Sequence, residues 1–371
     1  MPKLTWRITN GTQANLDITQ YVRSLSFTLG RPSPLSPYSG NSASITMTSY
    51  GGIENYVAVN DQIIFESSAV GGPFYDGLFL GRVTSRTFDD NPGTGVNSTM
   101  TVSLNDAMLQ AGMANFQNQS LVSANDQLNE IITLLPQIYI FGPLTTVSMS
   151  TGTFTTNANQ RINEIIAATR GLLQNDNAST DYINPFNFGP YTTTGMTIGR
   201  TTSATQIAYQ NLVRVEAASN NLFYTQATVT GSASTVTSTN TTAQTLYGTR
   251  TFTATTAQSD LVSDTADWYA NTFIDPKTVM LNISLTDTAQ NSAALILLND
   301  LIRLNKFVQV SYTPPGGVST TGYYWPEQIT VNATVDQTSI SMLMTPQTYY
   351  ANFILDDAVF GVLDIDRLGV S

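Results

Sequence analysis

Apolar and polar residues alternate over most of this chain, which is the pattern of strands that bury one face. At residues 25–29, two leucines and a phenylalanine alternate with serine and threonine. The Asn10-Gly11 pair and several Gly/Pro-rich stretches separate such runs and indicate turns. The same pattern predicts further strands at residues 43–47, 62–66, 78–83, 100–104, 307–312, 328–335 and 339–345. We expect the last two to form a hairpin that turns at residues 336–337.

Helical spacing replaces this alternation in the middle of the chain. Ser123 is placed to cap a helix whose apolar face holds Leu128 and Ile131, and residues 158–173 repeat the pattern. The chain is therefore predicted to be mainly β with flanking helices, an α+β fold. Two β-rich regions, of which the first is a barrel or a sandwich, flank a helical and loop-rich middle.

A strand, helix and strand are predicted in succession at residues 245–285. The first strand is expected at 247–252 and the second at 280–285. We expect the helix to pack against both strands and to bury Trp268. The Thr/Ser-rich run between 230 and 244 contains few apolar residues, which predicts a hairpin tip or a mobile loop.

The composition indicates what covers the surface. Only 11 % of the 371 residues are charged, whereas a typical soluble domain has roughly 25 %. Ser, Thr, Asn and Gln must therefore cover most of it. The net charge of −11, with 15 scattered Lys and Arg, argues against a protein that grips nucleic acid through phosphate contacts.

The chain has no Cys and no His. This excludes disulfides, thiol nucleophiles, imidazole bases and metal sites that need thiolate or imidazole ligands. The start of the chain is too polar for a signal peptide, and no run approaches the ~20 apolar residues of a membrane helix. We therefore expect a protein without a membrane segment that folds in a cytoplasm.

The remaining candidates for chemistry are carboxylates. Glu130 and Glu164 would form the pair of a glycosidase, but each occupies a helical position that usually faces solvent. A second acidic group is formed by Asp356, Asp357, Asp364 and Asp366. Its spacing lacks the glycine of a calcium loop. We therefore predict no enzyme activity and no catalytic, cofactor-binding or metal-binding residue.

Two segments are candidates for contacts with other proteins. Residues 174–203 predict a long loop or a weakly regular subdomain, whose aromatic residues either contact a partner or a sugar, or pin the loop to the body. These aromatic residues are Tyr182, Phe186, Phe188 and Tyr191. The C-terminal segment is too apolar for a free tail, and we expect it to dock on its own chain or on a neighbouring subunit. Its apolar anchors are Phe353, Leu355, Phe360 and Leu363.

Several segments of the chain form an ordered series of motifs. In the first of them, a strand ends in Gly30-Arg31 before a proline-rich loop and a second strand. The segments lie at residues 21–52, 78–88, 102–108, 246–252, 268–276, 307–315, 323–346 and 352–371. Taken in this order, they resemble minor tail proteins of long-tailed bacteriophages. The resemblance is weakest between about 121 and 203.

The resemblance implies a hub protein of the tail tip or baseplate. It implies a tube-like β-barrel domain at 1–112, a helical and loop-rich region at 113–203, and a second tube-like barrel with an outer helix and a docking segment at 204–371. It also implies a homotrimeric ring that contacts tail-tube, tape-measure and fibre proteins in the virion, assembled in the host cytoplasm. DNA would pass the channel without specific binding, and an acidic wall would repel its phosphates.

A different class of function remains open. The aromatic loop and the Thr-rich surface also suit a receptor-binding or carbohydrate-binding protein at the periphery of a tail, an adhesin. Such a protein need not form a ring. The shape of the purified particle therefore distinguishes the two interpretations.

Overall fold

The structure is a computed structural model, and it describes the chain in separate ranges. These are residues 3–48, 55–69, 76–89, 98–115, 123–134, 138–141, 157–169, 172–176, 179–183, 194–199, 206–209, 214–217, 222–231, 234–255, 262–274, 279–302, 308–312 and 320–346. The fold in these ranges is mainly β with a few helices, as expected. No helix among them is long and apolar enough to cross a membrane.

The N-terminal third is almost entirely strands. They are β1 (Leu4–Asn10), β2 (Leu16–Asp17), β3 (Val22–Gly30), β4 (Ser42–Thr48), β5 (Gln62–Ala69), β6 (Asp76–Asp89) and β7 (Thr99–Asn105), followed by the short helix α1 (Ala107–Ala111). Apolar and polar residues alternate along β3, β4 and β7, and the apolar ones are buried. The strands predicted in this region are confirmed.

The middle of the chain mixes helices with short strands. They are α2 (Ala124–Leu134), β8 (Ile138–Phe141), α3 (Ala158–Thr169), β9 (Leu172–Asp176), β10 (Ser179–Ile183), β11 (Thr194–Gly199), β12 (Gln206–Ala208) and β13 (Arg214–Ala217). The Ser123 hydroxyl accepts a hydrogen bond from the Asp126 N–H at 3.1 Å, so the predicted cap is confirmed. Residues 174–203, predicted as a long loop or a weakly regular subdomain, contain β10 and β11, which agrees with the second alternative.

The last part of the chain returns to strands. It contains β14 (Gln226–Thr230), β15 (Thr235–Thr239), α4 (Thr241–Tyr247), β16 (Thr251–Thr255), α5 (Val262–Thr272), β17 (Val279–Thr286), α6 (Ser292–Leu301), β18 (Val308–Tyr312), β19 (Thr320–Thr334) and β20 (Thr338–Pro346). β19 and β20 form the predicted hairpin, in which Thr334 N–H bonds the Gln337 carbonyl at 2.9 Å.

One 14-stranded sheet, called the main sheet below, joins the two ends of the chain. Its order is β12-β11-β18-β19-β3-β4-β7-β6-β5-β1-β2, and β20, β17 and β13 continue from β19. The pairing that joins the N-terminal strands to the C-terminal strands is between β3 and β19. It is antiparallel and places Phe27 opposite Val331. Two separate barrels are therefore not confirmed: in the described ranges the N-terminal and C-terminal strands are continuous.

The main sheet buries one face against itself and against α6. Four aromatic rings meet in this core, with Phe27 5.9 Å from Trp6, 5.7 Å from Phe65 and 5.9 Å from Phe79 between ring centroids. The helix α6 packs on β5 and β12 and adds buried leucines such as Leu295 and Leu298. Because these residues come from both ends of the chain, they form one core.

A smaller three-stranded sheet, in the order β15-β14-β16, forms a separate lobe with α4 and α5. The helix α5 packs across β14 and β15, burying Tyr269 and Phe273, while β17 belongs to the main sheet. The predicted packing of this helix against both of its neighbouring strands is therefore wrong. Trp268 is half-buried, because it lies at the edge of this core.

The Thr/Ser-rich run before this helix is a hairpin followed by a helix. β14 and β15 pair, as a hairpin tip requires, but α4 was not predicted. Asn240 caps α4 by accepting a bond from Ala243 N–H at 2.9 Å. Gly248 ends it with a φ of 79°, which glycine adopts without strain.

Candidate functional site

The outer face of the main sheet is covered by small uncharged polar side chains, and we call it the hydroxyl face. Its residues are Ser24, Ser26, Thr28, Ser42, Ser44, Thr46, Ser85, Thr87, Thr101, Ser103, Asn105, Ser284, Thr330, Asn332, Thr334, Ser339 and Ser341. All are half-buried or exposed, and all except Ser85 and Thr87, at the outer end of β6, alternate along their strands with residues of the core. The hydroxyl face is thus the solvent side of the same strands that build the core.

Strand register arranges these side chains in rows that cross the sheet. One row runs through Ser85, Ser103, Ser44, Ser26, Asn332 and Ser339. Another runs through Asn105, Ser42, Thr28, Thr330, Ser341 and Ser284. Since neighbouring strands lie ~4.8 Å apart, each row is about 24 Å long. Side-chain bonds tie the rows across the β3 to β19 junction, from Ser26 to Asn332 at 2.7 Å and between Thr28 and Thr330 at 3.2 Å.

Charged residues lie at the margins of the hydroxyl face. Arg82 stands opposite Asn105 at the end of one row, and Asp89 stands opposite Thr99 at the tip of β6. Arg23 is exposed near the bulge of β3 and donates to the Thr48 hydroxyl at 2.7 Å. None of the positions in the rows is acidic or basic. The rows of this face therefore present hydroxyl and amide groups and carry no charge.

A buried ion pair fixes the junction beneath this face. Arg31, directly after β3, donates from Nε to Glu327 Oε2 at 2.9 Å, and its backbone N–H bonds the Glu327 carbonyl at 2.8 Å. Their side chains are 7 % and 0 % exposed. Burial raises the pKa of Glu327, and the charge of Arg31 opposes that rise. Neither charge can be removed alone without stranding the other.

Asp287 closes the far side of the core. One of its carboxylate oxygens accepts a bond from Leu4 N–H at 3.1 Å, and the other accepts from Thr338 N–H at 2.9 Å. Trp6 adds a bond from its indole N–H to the Thr338 hydroxyl at 2.9 Å. Asp287 is fully buried. It thereby connects the first residue of β1 to the first residue of β20.

A second buried carboxylate, Asp106, organises one end of the sheet. It accepts bonds from Asn41 Nδ2 at 2.6 Å and from Leu109 N–H at 3.0 Å, while Asn41 Oδ1 accepts from Gly30 N–H at 2.9 Å. Burial raises the pKa of Asp106 to about 6, although the hydrogen bonds act in the opposite direction. This network connects the ends of β3, β4 and β7.

The partner-contact residues predicted from sequence are not brought together in the described ranges. Tyr182 lies on β10, where its backbone pairs with Leu173 and Ile140. The other three aromatic residues, Phe186, Phe188 and Tyr191, lie outside the described residues. The predicted docking residues Phe353, Leu355, Phe360 and Leu363 also lie outside them.

The carboxylates that were candidates for catalysis or metal binding lie on helices or outside the described residues. Glu164 pairs with Arg161 at 2.7 Å, three residues earlier on α3, and Glu130 is half-buried on α2. The four C-terminal aspartates fall outside the described residues. Within the ranges described, no three acidic residues gather where they would hold a metal ion.

The composition indicated a surface covered by Ser and Thr side chains, but the sequence did not predict the hydroxyl face. Its rows depend on the pairing of β3 with β19, which lie about three hundred residues apart. The available signal was the small polar residue at every second position of each strand.

Comparison with known proteins identifies the fold. No protein-family model matches the chain, and no curated protein sequence matches it. Its structure is similar to that of the tail protein from Neisseria meningitidis MC58, with a TM-score of 0.64, 10 % identity, and 94 % of this chain and 98 % of that chain covered. It is also similar to the prophage MuSo2 43 kDa tail protein from Shewanella oneidensis, with a TM-score of 0.61, 9 % identity, and coverages of 93 % and 98 %. Over nearly its whole length, the chain has the fold of these two tail proteins, as the sequence resemblance implied.

Proposed function

We propose that this chain is a structural protein of a phage-type tail, and that copies of it form a ring-shaped hub at the tail tip whose channel continues the tail tube. The observation that carries this proposal is the hydroxyl face. A wall along which DNA moves must be hydrated without attracting phosphate, and Ser, Thr and Asn side chains meet both needs. The fold that the chain shares with two tail proteins supports the same function.

The proposed channel wall is neutral rather than acidic. The composition had suggested repulsion of DNA by acidic side chains, but none of the rows contains Asp or Glu. Several carboxylates are instead buried in structural roles, such as Asp106, Asp287 and Glu327. A neutral wall neither binds the DNA nor opposes its entry into the channel.

The proposed assembly is a homotrimer placed between the tail tube and the distal tail, in contact with tape-measure and fibre proteins. In this assembly the aromatic loop from Tyr182 to Tyr191 contacts a partner, and the segment with Phe353 and Phe360 docks on the chain or on a neighbour. We retain the division at 1–112, 113–203 and 204–371 as a proposal about domains. The function requires no catalytic group.

Negative-stain electron microscopy with mass photometry tests the ring. We expect particles of three times the 40.1 kDa chain mass, with a central hole and three-fold or pseudo-six-fold averages. Compact monomers without a hole would count against the hub and favour a peripheral adhesin.

Thiol labelling tests which surface lines the channel, because the chain has no Cys of its own. Ser42→Cys and Ser85→Cys place thiols on exposed positions of the hydroxyl face, and Ser292→Cys places one on the exposed start of α6 as the matched control. In assembled rings, a small maleimide should label all three, whereas a maleimide on a large polyethylene glycol should label only the control. Equal labelling of all three by the large reagent would place the hydroxyl face outside the channel.

A further inference from the structure

A pocket of about 390 Å³ opens at the end of the main sheet where β3 and β7 end and β4 begins. This volume lies in the range of ~300–1,000 Å³ that is typical of ligand pockets. The eight residues that line it carry no charge. They come from the proline-rich loop after β3, from the end of α1 and from the first half of α3, and they include Pro37, Ser39, Leu109, Asn159, Gln160 and Asn163.

Hydrogen bonds fix the walls of this pocket. The Asn163 side chain accepts from the Tyr38 N–H at 2.7 Å and donates to the Tyr38 carbonyl at 2.9 Å, which holds the loop against α3. Asn159 Nδ2 donates to the Met108 carbonyl at 2.8 Å and so holds α1 against α3. The Arg31 guanidinium lies 4.8 Å from the centroid of the Tyr38 ring, which ties the loop to the buried ion pair. The pocket is therefore preformed, so a bound group need not order its walls.

The lining combines an apolar side with an amide side. Pro37 is exposed and Leu109 is half-buried, and Met113, the second residue after α1, is 83 % exposed. Methionine adapts its shape to apolar side chains that pack on it. On the opposite side, Asn and Gln of α3 carry amide groups, which both donate and accept hydrogen bonds. Such a pocket suits a large apolar side chain on an uncharged stretch of peptide.

The last strand of the main sheet ends at the same end as this pocket. Gln328 of β19 stands opposite Gly30, the last residue of β3, and β20 ends with Pro346 opposite Tyr324. Strands lie ~4.8 Å apart and rise ~3.3 Å per residue. Three strand spacings and about three residues therefore separate Pro346 from the loop at Ser39, a distance of about 18 Å.

The chain continues from Pro346 with an uncharged stretch, QTYYANFIL at 347–355, before Asp356 and Asp357. Phe353 lies seven residues beyond Pro346, and an extended chain of that length spans about 23 Å, enough to reach the pocket. Tyr350 lies four residues beyond Pro346, and that length spans only about 13 Å. Phe353 is therefore the first large apolar side chain of the stretch that is able to reach the pocket.

We propose that this pocket seats the side chain of Phe353 from the same chain, with the backbone of the uncharged stretch against the amides of α3. The inference rests on the docking of the C-terminal segment proposed above, but it does not depend on the ring. Docking at this place covers Met113 and joins the end of β20 to α1 and α3. It also keeps the acidic residues from 356 onward out of an uncharged pocket, where a carboxylate would lose its hydration.

Cross-linking tests this contact in the full chain, which has no Cys of its own. In the double variant Ser39→Cys with Asn352→Cys, one thiol lies in the exposed lining of the pocket and the other flanks Phe353. A bismaleimide with a short spacer should join them within one chain and give a product of monomer mass. Proteolysis and mass spectrometry identify the joined peptides.

Two controls separate this docking from chance collisions and from docking between copies. In Asn352→Cys with Thr334→Cys, the second thiol is exposed at the other end of β19, about 33 Å from Pro346. Six residues beyond Pro346 extend only about 20 Å, so this pair should give at least tenfold less product of monomer mass. Mixing the single variants Ser39→Cys and Asn352→Cys joins two chains only if the segment docks on a neighbour.

Substitution of the aromatic residue shows which side chain enters the pocket. Phe353→Ala should raise the rate at which a maleimide labels Ser39→Cys at least tenfold, because the pocket is then open to solvent. Phe360→Ala is the matched control and should change this rate less than twofold. Both variants should keep the circular dichroism spectrum of the natural chain.

The outcomes distinguish this docking from the proposed function. Rings in the microscope without the 39/352 product would overturn the docking and leave the hub intact. The product of monomer mass without rings would support the docking and count against the hub. Products between the mixed single variants would place the segment on a neighbour and overturn docking within one chain. Equal labelling of Ser39→Cys with and without Phe353→Ala would also overturn it.

Discussion

The main sheet and the lobe are built from the same kind of strand but differ in which contacts hold the strands together. Both alternate Ser or Thr with apolar residues and bury one face. In the main sheet β3 is enclosed by β4 and β19, and buried polar contacts fix the junction. The lobe is held by an apolar core, and its three strands pair within residues 226–255. The alternation of apolar and polar residues therefore specifies which face of a strand is buried, whereas residues that are distant in the sequence determine which strands pair with it.

The largest effect is expected at the junction of the main sheet. Glu327→Gln leaves Arg31 buried without its counter-charge, which costs about 3–5 kcal/mol of unfolding free energy. Glu66→Gln is the matched control, because its partner Arg7 is 39 % exposed, and its cost should be at most about 1 kcal/mol. Urea unfolding measures both. Equal losses would mean that the buried pair does not fix the junction.

The next effect should remain local to the lobe. Phe273→Ala removes a buried ring and should cost about 3–5 kcal/mol. Trp268→Ala should cost clearly less, because Trp268 is only half-buried. Hydrogen exchange should show lost protection in β14 and α5 but not in β3 or β19. If the main sheet lost protection equally, the two regions would unfold as one unit.

A pH effect of somewhat smaller size is expected at the end of the main sheet. The pKa of Asp106 is raised from 3.8 to about 6 in the fold, so its favourable contribution is complete below pH 4 and is lost as the pH rises through 6. The loss amounts to at most about 3 kcal/mol. Asp106→Asn cannot ionise, so its stability relative to the natural chain should increase between pH 4 and pH 7. The exposed Asp89→Asn is the control in the same denaturation series, and a pH-independent difference for Asp106→Asn would contradict the assignment.

The smallest effect should occur on the hydroxyl face itself. Ser26→Ala removes the bond to Asn332 but leaves the core intact, so its cost should be below about 1 kcal/mol. Phe27→Ala, the next residue on the core face of β3, should cost about 3–5 kcal/mol. Thermal unfolding measures both. A large loss for Ser26→Ala would make the face a stabilising layer rather than a functional surface.

Local patterns in the sequence were sufficient to predict many single elements. The strands around Phe27 and Ile45 and the helix capped by Ser123 follow from residues within a few positions of each other. The helix α4 was missed because its threonines favour extended structure, although Asn240 and Gly248 were available as cap signals.

Local patterns in the sequence could not predict which strands would pair with each other. Nothing near Arg31 identifies Glu327 as its partner, and nothing near Leu4 indicates the bond to Asp287. The rows of the hydroxyl face depend on the same long-range register. Their chemistry was therefore visible in the sequence as composition, but their geometry was not.

The pairing of β3 with β19 also determines when the protein is able to fold during its synthesis. Ser26 and Asn332 are separated by 306 positions. A ribosome that adds roughly 5–20 residues per second needs about 15–60 seconds to make that stretch. During this time the nascent chain exposes one bare side of β3 beside its apolar residues, which is a hazard for aggregation in a crowded cell. Translation speed and chaperone supply in the producing cell should therefore limit the yield of folded chains.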